Sequence, residues 1–428
     1  MGSDALNEQL RTLISAAGAA ASARRWEEAE HLWHQVQSLD PANVQALFSL
    51  GVHAHQRGDA QMALRFFESA RQAQPDDPMI PLAIGSVFRA LGDIERERAA
   101  ITASLVIDPY FLPGLLSKAE YLERNGKSNG AAAVYADAMR VAPDEAAWPA
   151  SLRHRLVHAR EVASRDTELL FEFLWRRVAA ALEQAPVHAR SRWEETVSIM
   201  AGRTRPYHSE CNRLHVPRLP ALTFHDPAQF PWVDRLQKRT PQIREELERL
   251  VAEKFDAFTP YVAYKPGDPV NQWNELNHSR AWSSFHLWSL GKPVEENLRM
   301  CPVTAEALAD VDPVRITGAC PNAMFSALAP GTRIPPHSGE TNARLVAHLP
   351  LIVPGKCAFR VGFDWRGWEE GNVMVFDDSI EHEARNDSDE LRVVLIFDVW
   401  NPLLAAEERA LVSGLSEALR DYRASFEA

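Results

Sequence analysis

The chain has 428 residues, of which 46% are hydrophobic and 24% are charged, as in soluble globular proteins. This length predicts two or more domains, because a single hydrophobic core seldom organises so many residues. The net charge of −12 argues against a general nucleic-acid or anionic-membrane binder. The start MGSDALNEQL has no signal-peptide pattern, no apolar run of about 18 residues occurs, and the four cysteines lack zinc-like spacing. A cytoplasmic protein without a membrane span is therefore expected.

A period of 34 residues runs through the first third of the chain. The residues that mark it are Pro41, Pro75, Pro109 and Pro143, with Gly58, Gly92 and Gly126. In one repeat, Ala63, Phe67 and Ala70 share a helical spacing that lets two helices approach closely around one aromatic ring. This is the tetratricopeptide period, so residues 5–145 are predicted to form about four helical hairpins stacked as a solenoid. Such an array offers a concave surface for a peptide or protein partner; the alternative is a packing or dimerisation module without a ligand.

The residue composition changes twice in the middle of the chain. Residues 146–202 have helical periodicity and are predicted to form a helical cap or connector. Prolines follow in 203–232, and a further helix is predicted with Pro241 near its start. The aromatic residues of 260–290, Trp282 among them, are interpreted as core, with the wall of a substrate pocket as the alternative.

The last third is predicted to be a small β-domain. Short strand-like runs separated by turn residues occur at 323–329, 343–353, 357–362, 372–376 and 391–399. The connections leave no room for helices, which favours antiparallel strands closed as a double-sheet jelly roll or cupin-like barrel. The tail from Leu403 to Ala428 is predicted to be helical.

Two histidines and an arginine stand out in this region. His337 and His382 are 45 residues apart, and Arg392 follows ten residues later. Neutral imidazole suits iron, copper, nickel or zinc, and arginine binds carboxylates through two parallel hydrogen bonds. The pattern therefore suggests a non-haem iron(II) oxygenase that uses the acid co-substrate 2-oxoglutarate together with O2.

Residues 203–402 resemble the aspartyl/asparaginyl β-hydroxylase family, in which tetratricopeptide repeats also precede the catalytic domain. The segments that carry the resemblance are FPWVDRLQ with PQIREEL, FHLWSLGKPVEEN, FSALAPGTRIPPHSGETN, WEEGNVMVFDDSIEHE and LRVVLIFDVWNP. The domain of this type is expected to span 203–428.

The resemblance implies a role for several individual residues. His337 and His382 match the metal ligands, Arg392 matches the anchor for the far carboxylate of 2-oxoglutarate, and Ser326 and His348 match further co-substrate positions. They would make up the core of the catalytic site.

The third position of the metal site departs from the usual facial triad. Gly339 stands where that triad has a carboxylate. In the family water takes this position, although a site without the carboxylate could also accept halide. Asp378 is a candidate catalytic residue that orients the metal-bound water from the outer shell, with an acidic turn residue as the alternative.

The substrate side also departs from the family. Arg344, which can meet an acidic target group, is retained, and Trp282 is the second substrate-binding candidate. Val346 and Met324 replace basic residues, and each lost charge-assisted hydrogen bond would cost an acidic substrate about 1.5–3 kcal/mol. Either the co-substrate is held differently or the target is not the aspartate of the animal enzymes. Residues considered as compensating cations are Lys265, Arg280 and Arg385.

Three functions are compatible with these observations. The first is hydroxylation of the β-carbon of Asp or Asn in a peptide or protein that the repeats recruit. The second keeps the chemistry but acts on a free amino acid, a lipid or another small molecule. The third is a repeat-based adaptor without catalysis.

Overall fold

The computed structural model describes residues 3–424, and the chain divides into two compact units. One unit runs to residue 184 and includes 200–203; the other contains 185–199 and the chain from 204 onward. The first unit is helical, and the second is built around two β-sheets.

The first unit stacks its helices in pairs joined by short turns. The paired helices are α1 (Ser3–Ser22), α2 (Trp26–Leu39), α3 (Val44–Gln56), α4 (Ala60–Ala73), α5 (Met79–Ala90), α6 (Ile94–Ile107), α7 (Leu112–Arg124) and α8 (Ser128–Val141). Each pair contacts the next along the stack. The helical solenoid predicted from the 34-residue period is thus confirmed.

The close approach of α3 and α4 depends on a glycine. A Cβ atom on Gly51 would lie 2.6 Å from Cε1 of Phe67, whose side chain is almost fully buried. Ala63 and Ala70 are buried on the same helix as Phe67. The small residues of the period therefore make room for the ring that fills the helical interface.

Two longer helices follow, α9 (Arg153–Gln184) and α10 (Val187–Ala201), in the region predicted as a helical connector. Leu156 and Ala159 of α9 join the hydrophobic cluster that includes Tyr135 of α8. The first part of α9 thereby covers the last helical pair.

The second unit contains twelve strands among the described residues. In chain order they are β1 (Phe224–His225), β2 (Thr259–Pro260), β3 (Trp282–Ser289), β4 (Lys292–Pro293), β5 (Ala323–Leu328), β6 (Thr332–His337), β7 (Arg344–Ile352), β8 (Cys357–Val361), β9 (Asp364–Arg366), β10 (Met374–Phe376), β11 (His382–Asn386) and β12 (Arg392–Trp400). The larger sheet has the order β1-β10-β7-β12-β5-β3-β2, with β4 beside β3, and the smaller has the order β6-β11-β8-β9. All these pairings are antiparallel.

The helices of this unit lie around the sheets. They are α11 (Val233–Lys238), α12 (Thr240–Lys254), α13 (Glu295–Met300), α14 (Pro302–Ala309) and α15 (Ala406–Ala424). The helix predicted near Pro241 is α12, which has this proline in its first turn. The predicted tail helix is α15, although residues 425–428 lie outside the described part. Within residues 3–424, none of the helices combines the length and apolar character needed to cross a bilayer.

The two faces of the larger sheet have different neighbours. On one face, Leu395 and Phe325 pack with Ile243 and Leu247 of α12 in the main core. On the other face, side chains of the larger sheet form a second cluster with those of the smaller sheet, among them Phe359. The predicted antiparallel β-domain is confirmed as two sheets packed in layers.

Of the twelve strands in the described part of the chain, seven were not predicted from the sequence: β1, β2, β3, β4, β6, β9 and β11. β6 contains Pro335 and Pro336, which is possible because β6 is an edge strand of its sheet. β11 has the polar sequence HEARN, and β3 lies in the aromatic segment that was interpreted only as core or pocket wall.

Candidate active site

His337 and His382 face each other across the smaller sheet. His337 ends β6, His382 begins β11, and the two residues are direct partners in the antiparallel ladder. Their ring centroids are 4.0 Å apart. Because side chains alternate between the faces of a strand, this register is what brings both rings to the same side.

Backbone hydrogen bonds fix the tautomer of both rings. Nδ1 of His337 lies 2.8 Å from the carbonyl oxygen of Pro335, and Nδ1 of His382 lies 3.0 Å from that of Ile380. A carbonyl oxygen only accepts, so each Nδ1 carries the proton and each Nε2 keeps its lone pair. Burial lowers the pKa of both imidazoles, and the neighbouring ring lowers that of His382 further. Two neutral imidazoles with free Nε2 atoms suit a transition metal.

A carboxylate occupies the space beside Gly339. A Cβ atom on this glycine would overlap Oδ2 and Cγ of Asp378. The N–H of Gly339 also donates to the backbone carbonyl of Asp378, at 2.6 Å. In the described part of the chain, no three His, Cys, Asp or Glu residues converge as a metal site. The carboxylate beside position 339 thus comes from Asp378, which lines the same cavity as the two histidines, and residue 339 has no room for one of its own.

Asp378 belongs to a buried cluster of three charges. The guanidinium of Arg344 donates to Asp378 Oδ2 at 2.9 Å and to Asp398 Oδ1 at 3.1 Å. Burial raises the pKa of Asp378 to about 6, and its Oδ1 has no hydrogen-bond partner among the described residues. Arg344 is therefore already shared between two carboxylates before any substrate enters.

Arg392 is in the opposite situation, because it is a buried cation without a described counter-charge. Its side chain is 1% exposed, its Nε has no partner, and one terminal nitrogen lies 3.5 Å from the carbonyl oxygen of Ser326. The guanidinium carbon lies 4.8 Å from the ring centroid of Trp368. Burial lowers the pKa of Arg392 to about 10. A buried guanidinium of this kind would be stabilised by an anion bound beside it.

Two further donors accompany Arg392 on the strands beside β12. Trp282 donates its Nε1–H to the hydroxyl oxygen of Ser326 at 3.1 Å, which leaves the hydroxyl proton free. Trp368 donates to Nδ1 of His348 at 3.2 Å, so the proton of this neutral ring is on Nε2. Burial, followed by the nearby cation of Arg392, lowers the pKa of His348 to about 3. Arg392, the Ser326 hydroxyl and the Nε2–H of His348 thus offer hydrogen-bond donors around one part of the cavity, and the only acceptor that these donors meet in the described hydrogen bonds is the carbonyl oxygen of Ser326, at 3.5 Å from Arg392.

One cavity of about 750 Å³, within the second unit, brings all the predicted site residues together. Those lining it are Trp282, Ser326, His337, Arg344, His348, Asp378, His382 and Arg392. The histidine pair comes from the smaller sheet, and Ser326, His348 and Arg392 come from the larger one.

The cations considered as compensation are not among the residues that line this cavity. Arg280 is paired with Asp256, and Arg385 is paired with Asp387. Lys265 does not line the cavity either. The charges absent at positions 324 and 346 are therefore not restored by these three residues.

Sequence reasoning missed the cavity residues Trp368 and Asp398, and it singled out Tyr261 and Trp273 only as core residues with the pocket wall as the alternative. Trp273 meets His337 edge to face, with centroids 4.9 Å apart, and Tyr261 stacks on Trp282 at 4.1 Å. Trp368 and Asp398, which hold His348 and Arg344 in place, also line the cavity. The only signal for Tyr261 and Trp273 is the aromatic density of 260–290, and Asp398 has no local signal.

Comparison with known proteins shows that the second unit is similar to hydroxylases. Residues 237–402 match the family model described as aspartyl/asparaginyl beta-hydroxylase. An ornithine lipid ester-linked acyl 2-hydroxylase of Rhizobium tropici is 35% identical over 182 residues, which are 42% of this chain and 60% of that protein. The aspartyl/asparaginyl beta-hydroxylase of Homo sapiens is 38% identical over 137 residues, 31% of this chain and 18% of that protein. This chain therefore spans only part of the length of these relatives.

Solved structures similar to the chain include repeat proteins. A thermophilic TPR protein of Thermus thermophilus is 15% identical, with a TM-score of 0.32, and covers 45% of this chain and 97% of its own. An O-GlcNAc transferase of Thermobaculum terrenum is 20% identical, with a TM-score of 0.31, and covers 33% of this chain and 27% of its own.

Proposed function

We propose that the second unit, in which residues 237–402 match the model of the aspartyl/asparaginyl beta-hydroxylase family, is an iron(II)- and 2-oxoglutarate-dependent hydroxylase. We further propose that its two layered sheets are the double-stranded β-helix, or jelly roll, of such oxygenases. The observation that carries the proposal is the buried Arg392, which has no counter-charge among residues 3–424, in the same cavity as two neutral histidines with free Nε2 atoms.

The donor set fits a first-row transition metal. Nε2 of His337 and Nε2 of His382 would hold iron(II), which leaves most coordination positions for co-substrate, water and O2. Asp378, which fills the space beside Gly339, would accept a hydrogen bond from a metal-bound water. When bound, iron supplies the dioxygen chemistry that this chain's own side chains cannot perform.

The three donors around Arg392 fit the distal carboxylate of 2-oxoglutarate. The planar guanidinium would donate two parallel hydrogen bonds, and the Ser326 hydroxyl and the Nε2–H of His348 would add neutral ones. Binding would give the buried cation its counter-charge. The overall reaction converts a C–H bond, 2-oxoglutarate and O2 into C–OH, succinate and carbon dioxide.

The substrate we favour is the β-carbon of an Asp or Asn residue in a peptide or protein that the repeats hold near the cavity. Tethering through a second surface would raise the local concentration of a polypeptide. The alternative is an acyl chain or another small molecule, and the printed name of the Rhizobium relative is the observation that favours it. An adaptor without catalysis is the third possibility, which the buried donor set of the cavity argues against.

The proposal is tested by succinate formation from 2-oxoglutarate after anaerobic loading with iron(II). Wild type is compared with His382→Ala and with His208→Ala, a control at an exposed histidine outside the cavity. Substrates are Asp- and Asn-containing peptides and, separately, ornithine-lipid vesicles. We expect peptide-stimulated turnover with a gain of one oxygen in wild type and in the control alone. Stimulation only by lipid would favour the alternative, and a chain that binds neither metal nor 2-oxoglutarate would leave the adaptor.

A further inference from the structure

The cavity wall around Arg344 carries more negative than positive charge. Arg344 is the cation of a cluster with two carboxylates, and each of the three residues is less than 10% exposed. Asp398 is further fixed by Asn322, which donates its backbone N–H at 2.7 Å and its side-chain amide at 2.9 Å. One positive guanidinium therefore faces two carboxylates, so the cluster as a whole carries a net negative charge.

Among the described residues that line the cavity, no other one on the side of Arg344 supplies a free cation. Apart from histidines, Arg344 and Arg392 are the only basic residues among those lining the cavity, and Arg392 lies with the co-substrate donors. Glu340, a further acidic lining residue, is paired with Arg213 at 2.9 Å. A substrate carboxylate beside Arg344 would be repelled by Asp378 and Asp398, because the guanidinium of Arg344 is already paired with both of them.

The floor beside the acidic cluster is apolar. Met324 pairs with Ile396 across the larger sheet, and Val346 pairs with Asp398. All of these residues line the cavity, and Met324 and Val346 are both less than 10% exposed. These positions offer contact to the aliphatic part of a side chain but no hydrogen bond to an acid.

An aromatic wall completes this side of the cavity. Tyr261 and Trp282 are stacked, and Trp273 and Tyr264 line the cavity with them. Aromatic faces attract cations, most strongly where water is excluded. Aromatic rings beside an acidic cluster form an environment that suits an amine or a guanidinium and disfavours a carboxylate.

We infer that the substrate presents a cationic group, an amine or a guanidinium, to the wall formed by Tyr261, Trp282, Arg344, Asp378 and Asp398. The inference rests on the proposed function for its reaction, and it narrows the substrate to a polypeptide or small molecule with an Arg-like or Lys-like group. A side chain with an aliphatic stem and a cationic end matches the floor and the wall together. In the polypeptide substrate proposed above, this cationic group would belong to a residue beside the Asp or Asn that is hydroxylated, and the wall would favour Asn over the charged Asp as the target.

The first test compares three probes of similar size and different charge: N-acetyl-argininamide, N-acetyl-glutaminamide and the corresponding glutamate derivative. Each is titrated calorimetrically into the full-length chain loaded anaerobically with manganese(II) and saturated with 2-oxoglutarate. We expect the arginine probe to bind at least tenfold more tightly than the glutamate probe, with glutamine between them. Equal binding of all three, or tighter binding of the glutamate probe, would overturn the inference.

A charge change inside the cavity separates this preference from the overall acidity of the chain. Met324→Lys adds a cation to the floor, whereas the matched variant Met324→Gln keeps a similar size without charge. Met324→Lys should abolish or reverse the preference, and Met324→Gln should retain it. An unchanged preference in Met324→Lys would place the binding outside the cavity and refute the inference, and the wild-type ranking decides the matter if this variant does not fold.

Failure of the proposed function gives a different result. The affinity for 2-oxoglutarate is measured in the same titrations before any probe is added. A chain that does not bind 2-oxoglutarate but still prefers the arginine probe would reject the hydroxylase and support the cationic site. A chain that binds 2-oxoglutarate but prefers the glutamate probe would keep the hydroxylase and reject the cationic site.

Discussion

Replacing Arg392 by methionine should weaken 2-oxoglutarate binding and, at the same time, stabilise the ligand-free protein. The side chain is buried and has no counter-charge in the part of the chain that the structure describes, so its strong partner would be the co-substrate. Methionine has a similar length and no charge, and it packs readily in irregular apolar surroundings.

The two effects have opposite signs and can be estimated separately. Two charge-assisted hydrogen bonds, each contributing about 1.5–3 kcal/mol, correspond to a loss of about 3–6 kcal/mol and a roughly 100- to 20,000-fold higher Kd. Burial lowers the pKa of Arg392 from 12.5 to about 10, so the folded state binds this proton less tightly than the unfolded state. At neutral pH the charged guanidinium therefore opposes folding by about 3 kcal/mol, which methionine would largely remove.

Calorimetric titration with 2-oxoglutarate and thermal unfolding without ligand measure the two effects. Arg385→Met is the matched control, because Arg385 is a half-exposed arginine on the neighbouring sheet that is paired with Asp387. The control should change neither quantity appreciably. A Kd for Arg392→Met within tenfold of wild type, or a marked loss of stability without ligand, would refute the assignment of Arg392 as an unpaired anchor.

Further predictions concern the histidine pair, the adjacent glycine and the repeats. His382→Ala should lose manganese(II) binding in calorimetry, whereas the exposed-histidine control should keep it; stoichiometric binding by both would contradict the ligand assignment. Because burial lowers the pKa of both rings below 6.5, metal affinity should be level down to about pH 6.5 and fall only below it, and a midpoint above that pH would argue against neutral ligands. Gly339→Ala places a methyl group on the neighbouring carboxylate, so substrate-stimulated turnover should fall at least tenfold with 2-oxoglutarate affinity retained; Gly367→Ala, with open space around its Cβ, should be normal, and equal rates would exclude this steric conflict. Phe67→Ala should destabilise the solenoid by about 3–5 kcal/mol, seen as a lower unfolding midpoint, whereas the exposed Phe173→Ala should not, and identical midpoints would show that the interface tolerates the cavity.

The features predicted correctly from the sequence are those with a local or periodic cause. The solenoid is readable because each repeat meets the same packing requirement, which Gly51 and Phe67 illustrate at 2.6 Å. The runs that become β5, β7 and β12 are readable because they are buried almost throughout and therefore apolar. In contrast, β6 contains two prolines and pairs only with β11, so its sequence has no strand signal.

The candidate site could be predicted as a set of residues but not as an electrostatic arrangement. Family motifs indicate His337, His382 and Arg392, and the structure places them in one cavity. The ion pair of Arg344 with Asp398 joins residues that are 54 positions apart in the sequence, and no local sequence pattern predicts such a contact. The same applies to the carboxylate of Asp378 beside Gly339, because it depends on how two loops meet.

The division of the cavity between two sheets has a mechanical consequence. The proposed metal ligands, His337 and His382, belong to the smaller sheet. The residues proposed to bind 2-oxoglutarate, Ser326, His348 and Arg392, belong to the larger sheet. Between them stand Phe359 of the smaller sheet and Phe376 of the larger, with ring centroids 4.7 Å apart. The two rings separate His382 of the smaller sheet from His348 of the larger sheet, and their packing sets the distance between the proposed metal ligands and the proposed co-substrate donors. Metal preference and acid preference can therefore diverge independently in descendants of this sequence, provided that the two rings keep their packing.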